Sequence, residues 1–287
     1  MAELTLIGNE MLSVGVSGLG AETQFIRDAE GQDWLWDGQA AWWTGRSPLL
    51  FPIVGGAPED QIAIGDFRAE MAKHGFARKS EFALLEAGAE YCVHELRDSA
   101  ATRAVYPFAF ALRVTHRLDG AALTVSVAVE NLSEDEMPFG FGFHPAFCWP
   151  LPGATGAHRI ELENGAEPAL YRIAEGGLIA NSPLPSPFKA GGLELEHSQY
   201  DDDAMIFPEG AGTALRMVAD NGVSLRFSWE GLPNLALWQK PGAPYLCLEP
   251  WHGMAAWHGA GPQMMDRPFS IALAAGATRE FSFTVAL

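Results

Sequence analysis

Between Leu112 and Val129 apolar side chains fall on every second residue, and this alternation restricts the chain more than any other feature of it. Leu112, Val114, His116 and Leu118 share one parity, Leu123, Val125, Val127 and Val129 share the next, and Asp119-Gly120 stands between them. Successive strand side chains point to opposite faces, so each arm presents one apolar face and the glycine-containing break reads as a hairpin turn. The same period recurs at Leu225, Phe227 and Trp229 and at Phe281, Phe283, Val285 and Leu287. Helical periodicity is scarce, because 31 glycines and 19 prolines leave few windows of a dozen residues fit for a helix. The pattern predicts an all-β chain: a single large antiparallel β-sandwich over residues 1–287, with a site on a concave face. The Pro-rich stretch from Asn181 to Phe188 reads as a surface loop, since strand-like segments continue on both sides of it.

Charge and cysteine usage narrow the class of partner. Asp plus Glu total 36 against 18 Lys plus Arg, a formal net charge of -18, which disfavours nucleic acid and anionic membranes as partners. Cys92, Cys148 and Cys247 are widely spaced, odd in number and form no CxxC pair, the usage of a reducing compartment. Residues Met1 to Glu10 lack a basic segment followed by an apolar one, and no apolar run approaches the roughly 20 residues that span a bilayer. A cytoplasmic protein is the expectation, and the Asn131-Leu132-Ser133 sequon then reads as accidental. The sequence leaves a homodimer open.

The common motif-borne chemistries start from low priors. There is no GxxxxGK[ST] loop, no GxGxxG after a strand, no HExxH and no GxSxG elbow, and Asp201-Asp202-Asp203 lacks the spacing and glycine of a calcium loop. Nucleotide, zinc and serine-hydrolase chemistry are thus disfavoured, and a metal is the less favoured reading of the aspartate run.

Four stretches place ionisable groups where a β protein normally has apolar or small ones. In Trp43-Thr44-Gly45-Arg46-Ser47-Pro48, Arg46 faces solvent or a polar ligand, and composition alone favours solvent. His74-Gly75-Phe76-Ala77-Arg78 taken alone is a loop with an ordinary surface pair. In Phe139-Gly140-Phe141-Gly142-Phe143-His144-Pro145, strand parity puts the phenylalanines on one face and Gly140, Gly142 and His144 on the other, so His144 projects over a glycine floor. A core histidine bonded to a carbonyl fits equally well. In Tyr245-Leu246-Cys247-Leu248-Glu249-Pro250-Trp251, Leu246 and Leu248 face the core and Glu249 the opposite side, where desolvation would make it a proton acceptor at neutral pH. A carboxylate paired with arginine is the alternative, and Trp251 is read first as core and second as a sugar platform.

Gly45-Arg46-Ser47-Pro48-Leu49-Leu50-Phe51-Pro52, His74-Gly75-Phe76-Ala77-Arg78, Phe143-His144-Pro145-Ala146-Phe147, Asp203-Ala204-Met205-Ile206-Phe207 and Cys247-Leu248-Glu249-Pro250-Trp251 follow one another along nearly the whole chain. In that order they resemble the aldose 1-epimerase (galactose mutarotase-like) family, in particular its bacterial LacX-like branch. The resemblance implies a supersandwich of antiparallel strands, a small-molecule sugar substrate and no cofactor. It implies His144 as general acid and Glu249 as general base, with Arg46, His74, Arg78, Asp203 and Trp251 holding the sugar; Asp202 competes with Asp203 for its place. Better-known galactose mutarotases carry a tyrosine and a phenylalanine after the acid histidine in place of Pro145-Ala146-Phe147, which leaves the aldose undefined. A hexose-6-phosphate epimerase would use Arg46 and Arg78 with Lys73 and Lys79, and a non-catalytic sugar sensor would have no use for an acid and a base.

Overall fold

The computed structural model describes residues 4–287. The expected hairpin forms: Phe110–Asp119 and Ala122–Asn131 pair antiparallel with Asp119 opposite Ala122, so Gly120 and Ala121 make the turn. Gly120 has φ +55°, the left-handed conformation that so short a loop demands and glycine adopts without a Cβ clash. This hairpin sits inside a nine-stranded antiparallel sheet in the spatial order Gly192–Glu194, His158–Leu162, Ala214–Ala219, Ser224–Glu230, Thr278–Ala286, Ala122–Asn131, Phe110–Asp119, Tyr91–Arg97, Ala83–Ala87. The two other alternating segments are neighbours in it, with Phe227 opposite Val285 and Trp229 opposite Phe283.

A six-stranded sheet lies against the large one. Its path runs Met205–Phe207, Asn234–Trp238, Tyr245–His252, Phe141–Phe143, Leu49–Leu50, and Ala146–Cys148 pairs with the first half of Tyr245–His252. The inner faces meet through aromatic rings: Phe141 stacks on Phe281 with centroids 4.8 Å apart, Phe143 meets Phe283 edge-on at 4.9 Å, and Phe147 meets Phe227 at 5.7 Å. Burying each such ring contributes about 1.5–3 kcal/mol, which fixes which face of the smaller sheet points inward. One continuous apolar cluster runs from Ile7 to Val285. A three-stranded sheet, Leu4–Gly8, Leu12–Ser17 and Thr23–Asp28, packs at the edge.

The α-helix Ala100–Val105 was not anticipated by periodicity. It is too short to show a repeat, and its signal is local: Ser99 Oγ accepts from the Thr102 backbone N–H while Thr102 Oγ1 accepts from that of Ser99. Among the described residues no helix is long and apolar enough to cross a membrane.

Asn131 ends its strand fully buried, its Nδ2 donating to the carbonyls of Asp135 and Leu273 at 2.8 Å and its Oδ1 accepting from the Ser133 N–H at 2.9 Å. An amide committed in this way is closed to glycosylation in the folded chain. It also ties the 131–135 turn to the strand Ile271–Leu273. Asn131→Ala removes three hydrogen bonds and takes a donor from the buried Leu273 carbonyl, so stability should fall by about 2–4 kcal/mol, read as a lower urea midpoint at unchanged m-value.

Candidate active site

The strand Tyr245–His252 is buried over nearly its whole length, and its parity sorts chemistry from packing. Leu246 and Leu248 enter the main core, as expected, while Tyr245 and Cys247 join Trp36 beneath a covering loop and Trp251 joins Leu50 and Ile206 in another outer cluster. Glu249 lies between these two outer clusters. Loops close over this face to leave a cavity of about 300 Å³, lined by residues that include His74, Arg78, His144, Asp203, Glu249 and Trp251. That volume is at the lower end of the range for small-molecule sites.

His144 sits where the chain leaves Phe141–Phe143 before re-entering the sheet at Ala146–Cys148. The Leu248 N–H donates to the Pro145 carbonyl at 3.0 Å, which locks this break against the central strand. His144 Nε2 comes within 3.2 Å of Glu249 Oε2, with the side chains 8% and 2% exposed. Burial pushes the two groups in opposite directions. It lowers the imidazole to about 3, with Lys73 and Arg78 adding to the effect, and raises the Glu249 carboxyl well above the usual carboxylate range, with Lys73 opposing and Asp203 assisting.

The glycine floor beside His144 is partly occupied. A Cβ on Gly142 would stand 2.4 Å from Trp251 Cδ1, so this glycine exists to admit the tryptophan ring. The buried Trp251 Nε1–H is directed at the Glu249 carboxyl and opposes part of the rise that burial causes there.

The 72–78 loop needs its glycine for a different reason: Gly75, at φ +70°, packs so closely on Phe51 that a Cβ would lie 2.2 Å from that carbonyl oxygen. His74 beside it also has a left-handed backbone, φ +69°, which costs about 1–3 kcal/mol for a residue with a Cβ. The Gly55 N–H donates to His74 Nδ1 at 3.0 Å, so the ring proton is on Nε2. Burial and then the neighbouring His144 hold this imidazole well below its usual value, and it stays neutral, a donor at Nε2. The 54–56 turn that supplies this bond is held by Arg267, a buried guanidinium donating to the Val54 and Gly56 carbonyls at 2.6 and 3.1 Å. Burial lowers Arg267 to about 10.

Arg78 donates to the Lys73 carbonyl at 2.9 Å and keeps a buried Nε with no partner. Asp203 Oδ1 accepts from the Ala204 N–H at 2.7 Å, and Arg172 holds the Asp203 carbonyl at 2.9 Å, which fixes the loop. Of the two aspartates in question, Asp203 lines the cavity and Asp202 does not.

Arg46 corrects the expectation from sequence. Its guanidinium bonds the Gln24 side chain and the Asp37 carbonyl, in a separate surface depression with Arg27 and Asp33. The chain turns between Trp43, which enters the cavity, and Arg46, which leaves it, and loop residues have no period from which to read that turn. Conversely, sequence reasoning passed over Trp43 and Trp238, whose rings flank His144 at 4.9 and 5.7 Å. Trp238 shares parity with Ala236, the residue opposite Glu249, so its signal was present but needed the partner strand to be known.

Two other arrangements bear on the choice of site. One nitrogen of His144, the Cys247 sulfur and a Glu249 oxygen lie within 4.8 Å of one another and could hold a metal ion. Burial keeps that thiol well above its usual value, and the carboxylate and imidazole already satisfy the needs of acid–base chemistry without it. A larger depression of about 720 Å³ on the outer face of the nine-stranded sheet contains Arg226 and Glu163, which already pair with each other at 2.6 Å. Removing a charged donor from a ligand costs about 1.5–3 kcal/mol, so if this cavity is the substrate site, Arg78→Ala should raise KM by roughly 10- to 100-fold. Arg46→Ala, measured alongside, should leave it unchanged.

The aldose 1-epimerase family model matches residues 3–256. Protein LacX of Lactococcus lactis subsp. lactis, in plasmid and chromosomal forms, is 29% identical over 274 residues, 91% of each chain. The galactose mutarotase related enzyme from Lactobacillus acidophilus superimposes with a TM-score of 0.92 at 25% identity, covering 99% of this chain and 97% of that one. A galactose mutarotase-like protein from Lactobacillus casei gives 0.91 at 26% identity, covering 99% of both. The antiparallel supersandwich and a family match over nearly the whole sequence lead to one assignment: this chain belongs to the aldose 1-epimerase family.

Proposed function

We propose that this protein is a mutarotase, interconverting the α and β anomers of a free aldose by acid–base opening and closing of the ring. The observation that carries the reading is the 3.2 Å approach of His144 Nε2 to Glu249 Oε2 inside a cavity furnished with hydroxyl-binding groups. Mutarotation takes a proton from the C1 hydroxyl, gives one to the ring oxygen as the C1–O5 bond breaks, and reverses both steps after rotation about C1–C2. One group must be an acid while the other is a base, each within about 2.6 to 3.2 Å of its proton.

A protonated His144 facing an ionised Glu249 is the arrangement that the family resemblance implies, and burial modifies it. Burial favours a neutral imidazole beside a protonated carboxyl. Both descriptions contain one proton, and a shift along the 3.2 Å contact converts one into the other without exchange with solvent. A bound sugar that places its C1 hydroxyl against Glu249 and its ring oxygen against His144 draws the pair into the catalytic form. His74, Arg78 and Asp203 then hold hydroxyls that stay fixed while C1 turns, and Trp43, Trp238 and Trp251 offer rings to apolar sugar faces.

A second reading has its own observation. Lys73 and Arg78 both line the cavity and neither forms an ion pair among the described residues, so a 6-phosphate would find two cations. A hexose-6-phosphate 1-epimerase is that alternative. Polarimetry of freshly dissolved α-glucose, α-galactose and their 6-phosphates, with and without protein, tests both; no acceleration of any of them would refute the mutarotase reading.

Turnover requires one shared proton. A second proton joins only as pH falls toward the imidazole value of about 3, and the first leaves only above the raised carboxyl value. The depressed group extends the acid limb downward and the raised group extends the basic limb upward. Accordingly, kcat/KM should show no limb at the unperturbed histidine value of about 6.5 or at the unperturbed glutamate value of about 4.3, and a limb centred at either would contradict the pairing. Glu249→Gln should lower kcat by roughly 100- to 10,000-fold with sugar binding retained.

A further inference from the structure

Cys92 and His94 lie on the strand Tyr91–Arg97 and His116 on its neighbour Phe110–Asp119, where Cys92 and His116 are cross-strand partners. All three point inward, at 0%, 1% and 1% exposure, far in sequence from every group given a catalytic role above. The thiol sulfur and one nitrogen of each imidazole lie within 4.8 Å of one another.

Packing alone gives no reason for two histidines here. Apolar side chains at these positions would continue the Val114, Leu112 and Leu118 face at no desolvation cost. What the imidazoles do instead is specific. His94 Nε2 reaches Thr5 Oγ1 at 3.4 Å and His116 Nε2 reaches Thr23 Oγ1 at 3.1 Å, both threonines belonging to the three-stranded N-terminal sheet. The Nδ1 atoms of both rings are buried with no partner. A ring that gives its Nε2–H to a hydroxyl keeps a lone pair on Nδ1, which is how histidines are oriented behind a metal ion. Each ring thus keeps one buried nitrogen without a partner, and a nitrogen of each ring lies within 4.8 Å of the other and of the thiol sulfur, which together make a candidate donor set beside two hydroxyl supports.

We propose that Cys92, His94 and His116 bind one thiophilic d10 metal ion, Cu(I) or Zn(II), and that the ion fastens the N-terminal sheet to the edge of the large sheet. Thiolate with two neutral imidazoles suits this class of ion. On binding, the thiol proton leaves to solvent, the sulfur–metal bond forms, and no electron is transferred. Charge separates the two candidates: Cu(I) with one thiolate leaves a neutral buried centre, whereas Zn(II) leaves a single positive charge in a region where no carboxylate acts on either imidazole. Cu(I) is thus expected to bind the more tightly.

The protein is unfolded in denaturant with chelator, refolded under argon with Cu(I) or with Zn(II), gel-filtered, and analysed for metal per chain and for melting temperature. Refolding in the presence of the ion removes the barrier that burial would place on entry. One equivalent should be retained, with a raised melting temperature, by the wild type and equally by Glu249→Gln, which disables the other donor cluster. Cys92→Ala should fall to background, and His94→Gln should do so if the alanine variant does not refold. Metal at background in the refolded wild type, metal kept by Cys92→Ala or His94→Gln, or metal lost in Glu249→Gln would each overturn the proposal.

Discussion

The strand Tyr245–His252 has apolar structure on both faces, and the rest of the molecule is arranged around that constraint. On one side Leu246 and Leu248 meet the large sheet; on the other, clusters around Cys247 and Trp251 are capped by loops. A carboxylate placed in the middle of such a strand is nearly stripped of solvent, at 2% exposure, and meets only the cavity. Its desolvation is the origin of the raised Glu249 value, and the same dry wall depresses His144. The fold thereby turns two ordinary side chains into a pair that is neutral overall and shares one proton. On the proposed mutarotase reading, that pair supplies the acid and the base for exchange at a sugar hemiacetal.

Holding the pair dry obliges the surrounding loops to be rigid. Arg267 fixes the 54–56 turn, that turn fixes the His74 ring by a backbone N–H, and Gly75 lets the same loop press against Phe51. His74 pays in backbone strain for a position from which its Nε2–H faces the cavity. Arg172 does the corresponding work for Asp203, whose backbone is also left-handed. Positioning residues of this kind touch no substrate, yet they determine where the touching residues stand.

The legible part of this architecture was the part encoded locally. Strict alternation from Leu112 to Val129 specifies a hairpin through nearest-neighbour geometry alone, and the burial of Val114, Val125 and Val127 follows from it. His144 and Glu249 stood out because ionisable groups interrupt otherwise apolar strand patterns, and parity then told which face each would take. Arg46 was misplaced because it lies in a loop, where neither period nor propensity reports direction; only the tertiary bonds to Gln24 and Asp37 do. Trp238 was missed for the converse reason, since its facing is regular but its significance depends on pairing with a strand distant from the histidine motif.

The two Cys–His clusters show how neighbouring residues determine what one donor set becomes. Around His144 the imidazole meets a carboxylate across 3.2 Å and a cavity opens beside them, so the proton they share has somewhere to go. Around His116 no carboxylate acts on either imidazole, and one nitrogen of each ring is tied to a threonine hydroxyl of a different sheet. The unpartnered ring nitrogens beside the thiol are the donors that the proposed ion would use. Polarity that neither packs nor reacts is costly to bury, and a chain that retains it at two strand positions in register is meeting a need that the apolar core does not supply.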